Sequence, residues 1–183
     1  MAYFFFDFKD TGKQDAHGLL SSLLLQLSHQ SSSLRDILSV CYSTHRSFSK
    51  QPSDRALTQC LQDMIRSSEQ TPIYLILDAL DECPDTTGMP SSRGKVLALV
   101  EKLINSNFPN LHLCITSRPE IDIRTSLEPL TSNRISLHDQ SGQKKDIVDY
   151  VNFVIYSDMN MRRWREEDKK VVIDVLSERA DGM

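Results

Sequence analysis

Apolar residues along this chain fall into two alternating kinds of run. Residues 2–8, AYFFFDF, are apolar at successive positions, which predicts a strand covered on both faces, closed by the turn-like Asp10-Thr11-Gly12. Leu19, Leu20, Leu23, Leu24 and Leu27 then recur at helical spacing up to the serine run 31–33, and Leu34, Ile37, Leu38, Cys41 and Tyr42 repeat the pattern. Pro52 and Ser53 open a third helix, in which Leu57, Cys60, Leu61, Met64 and Ile65 share one face that must be buried.

The unbroken run at 73–77 predicts a second strand, and a Pro-, Gly-, Ser- and Thr-rich loop at 84–94 leads to a helix with Val96, Leu99, Val100, Leu103 and Ile104 inward. LHLCITSRPE, 111–120, is strand-like until Pro119 stops it, and RISLHD, 134–139, predicts a fourth strand. Two helices follow. One places Ile147, Tyr150, Val151, Val154 and Ile155 on a single face, and the other starts at the acidic Glu166-Glu167-Asp168, which complements its dipole, and ends at Gly182. No internal repeat is present.

Strands separated by helices predict an α/β fold, a three-layer parallel sheet with helices on both faces. The predicted division is an α/β domain over 1–140 and a helical segment over 141–183.

Composition narrows the class. A chain of 183 residues, 39% hydrophobic and 25% charged, has the makings of one globular core. Its net charge of -4 argues against a nucleic-acid partner, which calls for a basic stripe or patch. Cys41, Cys60, Cys83 and Cys114 form no CxxC pair and lie in or beside apolar segments, so they are expected to be core residues in a reducing compartment, with no zinc. No apolar run approaches the roughly 20 residues that span a bilayer, and MAYFFFDF is too short for a signal-peptide core. The expected setting is cytoplasmic, without a membrane partner.

In parallel α/β sheets ligands bind beyond the carboxyl ends of the strands. IYLILDALDEC, 73–83, delivers Asp78, Asp81 and Glu82 to that rim, and Arg118 ends another strand there. Magnesium takes hard oxygen ligands, commonly one or two carboxylates together with substrate phosphates, and Asp78 is the natural metal-side ligand. Asp81 or Glu82 could orient an attacking water, and Arg118 could neutralise a terminal phosphate with its planar head. Taken singly, an apolar strand ending in an acidic turn is common, and Thr116-Ser117-Arg118-Pro119 reads equally as a polar turn capping the next helix. Together and in this order they turn the balance toward phosphate chemistry.

AYFFFDFKDTGKQDAHGLLSSLLLQL, IYLILDALDECPD, LHLCITSRPEIDI, DIVDYV and ERADGM resemble the NACHT domain of STAND-class P-loop NTPases. The likeness is to the form found in fungal vegetative-incompatibility and NOD-like receptors, also described as the nephrocystin-3-like N-terminal domain. The resemblance implies that 73–82 is a Walker B strand whose Asp78 coordinates the magnesium of ATP or GTP. Asp81 and Glu82 would be the acids near the hydrolytic water, and Arg118 a sensor of the terminal phosphate. It further implies an NTP-hydrolysing switch that opens a signalling receptor to oligomerise, with protein partners that include NACHT relatives.

One part of the pattern is missing. A P-loop needs GxxxxGKS or GxxxxGKT, and the chain offers only Gly12-Lys13-Gln14 and Gly94-Lys95-Val96. The resemblance implies a chain that begins at the family's second strand. Loss of about four to six phosphate hydrogen bonds, at about 1.5–3 kcal/mol each, exceeds the roughly 8 kcal/mol of micromolar binding. The chain alone is therefore expected to bind ATP weakly or not at all, and to be inactive alone. With the family's first strand absent from between the strand at 111–116 and the last, a three-strand sheet with a poorly anchored fourth is expected. A non-catalytic interaction module derived from a NACHT ATPase is the second reading, and an unrelated magnesium-dependent phosphatase or nuclease a third.

The five histidines, His17, His29, His45, His112 and His138, form no ligand spacing and are read as structural. Arg162, Arg163, Arg165, Lys169 and Lys170, interleaved with acids, predict a solvated face, and Trp164 a packing anchor.

Overall fold

A computed structural model of the chain describes residues 1–46, 51–68, 71–85, 90–136 and 141–179. The strands are β1 (Ala2–Phe5), β2 (Ile73–Asp78) and β3 (Leu111–Ile115), and the α-helices are α1 (Ala16–Ser28), α2 (Ser32–Arg46), α3 (Asp54–Ser67), α4 (Ser92–Asn105), α5 (Ile121–Leu127), α6 (Ser141–Ser157) and α7 (Glu166–Arg179). The chain divides into two compact units, Met1–Thr131 and Ser132–Met183.

In the first unit the strands form one parallel sheet in the order β1-β2-β3, with Ala2 opposite Leu75 and Leu75 opposite Leu113. The expected class stands: a three-strand parallel sheet flanked by helices, followed by a helical C-terminal region. Side chains of Ala2, Phe4, Phe6, Ile73, Leu75 and Leu77 enter a single core, into which α1 sends five leucines and α3 its whole predicted face. Each of these helices starts where a side chain meets an orphan amide. Asp15 accepts from Gly18 on α1, Ser53 from Ala56 on α3 and Ser91 from Gly94 on α4. Gly18 is required on other grounds, because a Cβ there would lie 2.1 Å from the carbonyl oxygen of Gly12.

The sheet is the first place where the sequence reading needs correction. β1 is covered on one face only, and Tyr3 and Phe5 point to the other, where they stay exposed with Tyr74, His112 and Cys114. Cys114 is thus no core residue, and Cys41 is only half-buried, whereas Cys60 and Cys83 are buried as expected. Tyr42 of α2 is exposed despite its helical spacing.

β3 ends at Ile115, and beyond Pro119 the chain makes α5, which buries Ile123 and Leu127. Of the predicted fourth strand, residues 134–136 carry no strand, and 137–139 lie outside the described residues.

In the second unit, Ile147, Val151, Val154 and Ile155 of α6 are at least half-buried, but Tyr150 is exposed. Trp164, after a 3₁₀ turn at Met161–Arg163, is exposed too and does not anchor packing. Lys169 departs from the predicted solvated face. It is buried, 2.7 Å from Glu166 and 4.9 Å from the ring of Tyr156. The predicted end of α7 at Gly182 lies outside the described residues. No described helix is long and apolar enough to cross a membrane.

Candidate functional site

The carboxyl ends of all three strands open on one rim. Asp78 is the last residue of β2, and the chain then turns sharply because Ala79 adopts the left-handed region, φ 54°, uncommon for a residue with a Cβ. Thr116, just past β3, holds this turn: its hydroxyl donates to the Asp78 carboxylate and accepts the Ala79 N–H at 3.0 Å. Its carbonyl accepts the Leu80 N–H at 3.0 Å. A short 3₁₀ turn over Leu80–Glu82 follows, pinned by the fully buried Leu80.

That turn sends the three acids to three different partners. Asp81 accepts the Arg118 backbone N–H at 3.0 Å and lies 3.4 Å from its Nε. Glu82 accepts the N–H of Phe8, beyond β1, at 3.3 Å. Asp78 stays with Thr116. The carboxylates therefore lock the ends of the three strands together instead of converging on one point. Among the described residues, no three His, Cys, Asp or Glu side chains group as a metal site.

The Asp81–Arg118 pair is asymmetric. The Asp81 side chain is 10% exposed and that of Arg118 79%. A nearly buried carboxylate holds the base of the arginine, and the guanidinium extends into solvent at the mouth of the rim.

Arg93, which sequence reasoning missed, sets the whole turn. Its side chain, 11% exposed, reaches down from the first turn of α4. Nε donates to the carbonyl of Cys83 at 2.9 Å and Nη2 to that of Asp81 at 2.8 Å, while Nη1 meets the Asp122 carboxylate of α5 at 3.2 Å. A planar fork suits three such acceptors at once. The Cys83 thiol, pushed up to about 11 by burial, closes the underside by donating to the Gln14 carbonyl at 3.1 Å. No side-chain pattern announces Arg93, because two of its three partners are backbone carbonyls.

Asp78 is the carboxylate that would hold magnesium, with the remaining ligands drawn from water and phosphate. These 183 residues contain no GxxxxGKS or GxxxxGKT run to cradle the phosphates.

A parallel α/β sheet with an acidic turn and an arginine on its carboxyl rim defines the class of protein. Within that class, residues 1–118 match the family described as Nephrocystin 3, N-terminal, and the chain belongs to it. The match covers β1 to β3 and stops at Arg118, so every rim residue lies inside it. No curated protein and no solved structure matches the chain.

Proposed function

We propose that the chain is the cation-side half of a NACHT-type nucleotide-binding domain, part of a cytoplasmic, fungal-type NOD-like signalling receptor. The reading rests on the Asp81–Arg118 pair. An arginine anchored at Nε by a nearly buried carboxylate, with its far end in solvent, is built to exchange partners with a terminal phosphate. Asp78 is the magnesium carboxylate of ATP or GTP, and Asp81 and Glu82 are the acids of the hydrolytic turn. Without a phosphate cradle, the 183 residues alone bind nucleotide in the millimolar range, about 4 kcal/mol.

Amide chemical shifts during titration with magnesium-ATP test this. Weak, unsaturated shifts at Asp78, Thr116 and Arg118 are expected, and Asp78→Ala abolishes them. Saturation at micromolar nucleotide would refute the half-site, and shifts confined to residues away from the rim would refute nucleotide recognition altogether.

A second reading, a non-catalytic interaction module derived from the same fold, is favoured by the exposed Tyr3, Phe5 and Tyr74 on the open face of the sheet. Such aromatic surface commonly marks a protein contact.

A further inference from the structure

α2 and α3 pack along each other, and each sends one cysteine to their shared seam. On α2, Cys41 follows Leu34, Ile37 and Leu38 at i, i+3, i+4 and i+7, the spacing of a single helix face, and all four pack on the core. On α3, Cys60 lies between Leu57 and Leu61 on the buried stripe. Where the two stripes meet, the Cys41 and Cys60 thiols are hydrogen-bond partners.

The two members of the pair are unequally placed. Cys60 is 3% exposed, whereas Cys41 is only half-buried, so a reagent meets the pair from the α2 side. Burial, the facing Cys41 and the charge of Asp63 push the Cys60 thiol up to about 12, and a thiol held in that form is a poor first target for an oxidant that attacks thiolates. The other two cysteines stand elsewhere. Cys83 donates to the Gln14 carbonyl beneath the rim, and Cys114 lies on the open face of the sheet.

We propose that Cys41 and Cys60 form a reversible disulfide site, at which hydrogen peroxide oxidises the accessible Cys41 and the buried Cys60 then closes the bond, clamping α2 to α3. In the first step Cys41 Sγ attacks one peroxide oxygen, the O–O bond breaks, and the second oxygen leaves as water with the thiol proton. Cys41 is left as a sulfenic acid. Cys60 Sγ then attacks Cys41 Sγ, the S–O bond breaks, and the hydroxyl leaves as a second water with the Cys60 proton. The two thiols have given up two electrons and two protons, and the peroxide has taken them up as two waters. A small thiol reductant reverses the bond by exchange at the accessible Cys41 sulfur. The disulfide closes a loop of about 20 residues, which restricts the unfolded chain and so stabilises the folded one. The pair draws on α2 and α3 alone, uses no rim residue, and is independent of the nucleotide reading.

Peptide mapping of the purified chain tests it. The reduced protein is treated with about 0.1–1 mM hydrogen peroxide, unfolded in an alkylating reagent and digested with trypsin. One linked species joining residues 36–46 to residues 56–66 is expected, lost on addition of dithiothreitol, with Cys83 recovered as an alkylated thiol. The linked protein is expected to melt about 5 °C or more above the reduced one. Cys60→Ala should leave a sulfenic acid at Cys41 that dimedone captures. Cys41→Ser, at a half-buried position that spares the core, should leave Cys60 unoxidised at the same peroxide level. Recovery of Cys41 and Cys60 as reduced thiols under conditions that oxidise Cys114 would overturn the proposal. So would linkage of either residue to Cys83 or Cys114 in its place, dimedone on Cys60 in Cys41→Ser, or a linked form that melts below the reduced one, since that bond would have formed only by distorting the two helices.

Discussion

The two faces of one sheet receive opposite treatment. On the packed face Phe4, Leu75 and Leu77 are buried beneath α1, α3 and α4, while on the open face Tyr3, Phe5 and Tyr74 keep 46%, 51% and 47% of their surface. Side-chain direction alternates strictly along a strand, so AYFF splits its apolar residues equally between the two. Hydrophobicity alone therefore does not report burial here. What decides is whether a helix lies above, and the difference separates residues that hold the fold from residues free to hold something else.

Substitution on the packed face gives the largest expected effect. Leu77→Ala removes a fully enclosed side chain and is expected to lower the unfolding free energy by about 2–5 kcal/mol. Tyr3→Ser or Phe5→Ser should change it by no more than about 1 kcal/mol. Urea unfolding of the three variants checks the contrast. Equal losses on both faces would mean that the open face is covered in solution.

The acidic turn on the rim is expected to be the next most sensitive region. Arg93→Ala leaves the carbonyls of Asp81 and Cys83 and the carboxylate of Asp122 without their shared donor, at an expected cost of about 2–4 kcal/mol. Arg93→Lys keeps the charge but cannot reach three acceptors with one ammonium, so it should recover less than half of that loss. Amide shifts at Leu80–Glu82 would report whether the turn itself has loosened. A loss confined to α4 and α5, with these shifts unmoved, would reduce Arg93 to a helix-packing residue.

How much of this was legible in the sequence follows from where each residue finds its partner. α3 was readable because all five residues of its apolar stripe go to one core, and the run at 73–77 because its length and Asp78 bound it. The uncovered face was not, since an unbroken apolar run looks alike whether one or both faces are covered. α5 was legible only in the reading of 116–119 as a turn before a helix, since Pro119 ends a strand and equally precedes a helix start, and Lys169 was hidden behind a charge pattern that says nothing of the Tyr156 ring beneath it. At the site, the order of Asp78, Asp81, Glu82 and Arg118 along the chain was visible. Their partners were not: Thr116, Phe8 N–H and Arg93 come from other elements, two of them engaging backbone atoms that carry no sequence signal.

The cysteines divide along the same line and give the smallest effect. Cys114 stands exposed on the open face, while burial pushes the Cys83 thiol up to about 11 and the Cys60 thiol to about 12, the latter helped by neighbouring Cys41 and Asp63. At pH 8 the Cys83 thiolate is about a hundredfold scarcer than that of an ordinary thiol, so iodoacetamide should modify Cys114 well before Cys83 or Cys60. The stability consequence has a definite sign. Both folded values lie above the unfolded value of 9.0, so between about pH 9 and 12 the folded chain keeps protons that the unfolded chain has released. Stability therefore falls as pH rises through that window and is unaffected by these thiols below about pH 8. Cys83→Ala should flatten part of the fall in the urea midpoint between pH 9 and 11. A slope unchanged by Cys83→Ala would mean that the buried side of the sheet does not hold the proton, and would remove the contrast between its two sides.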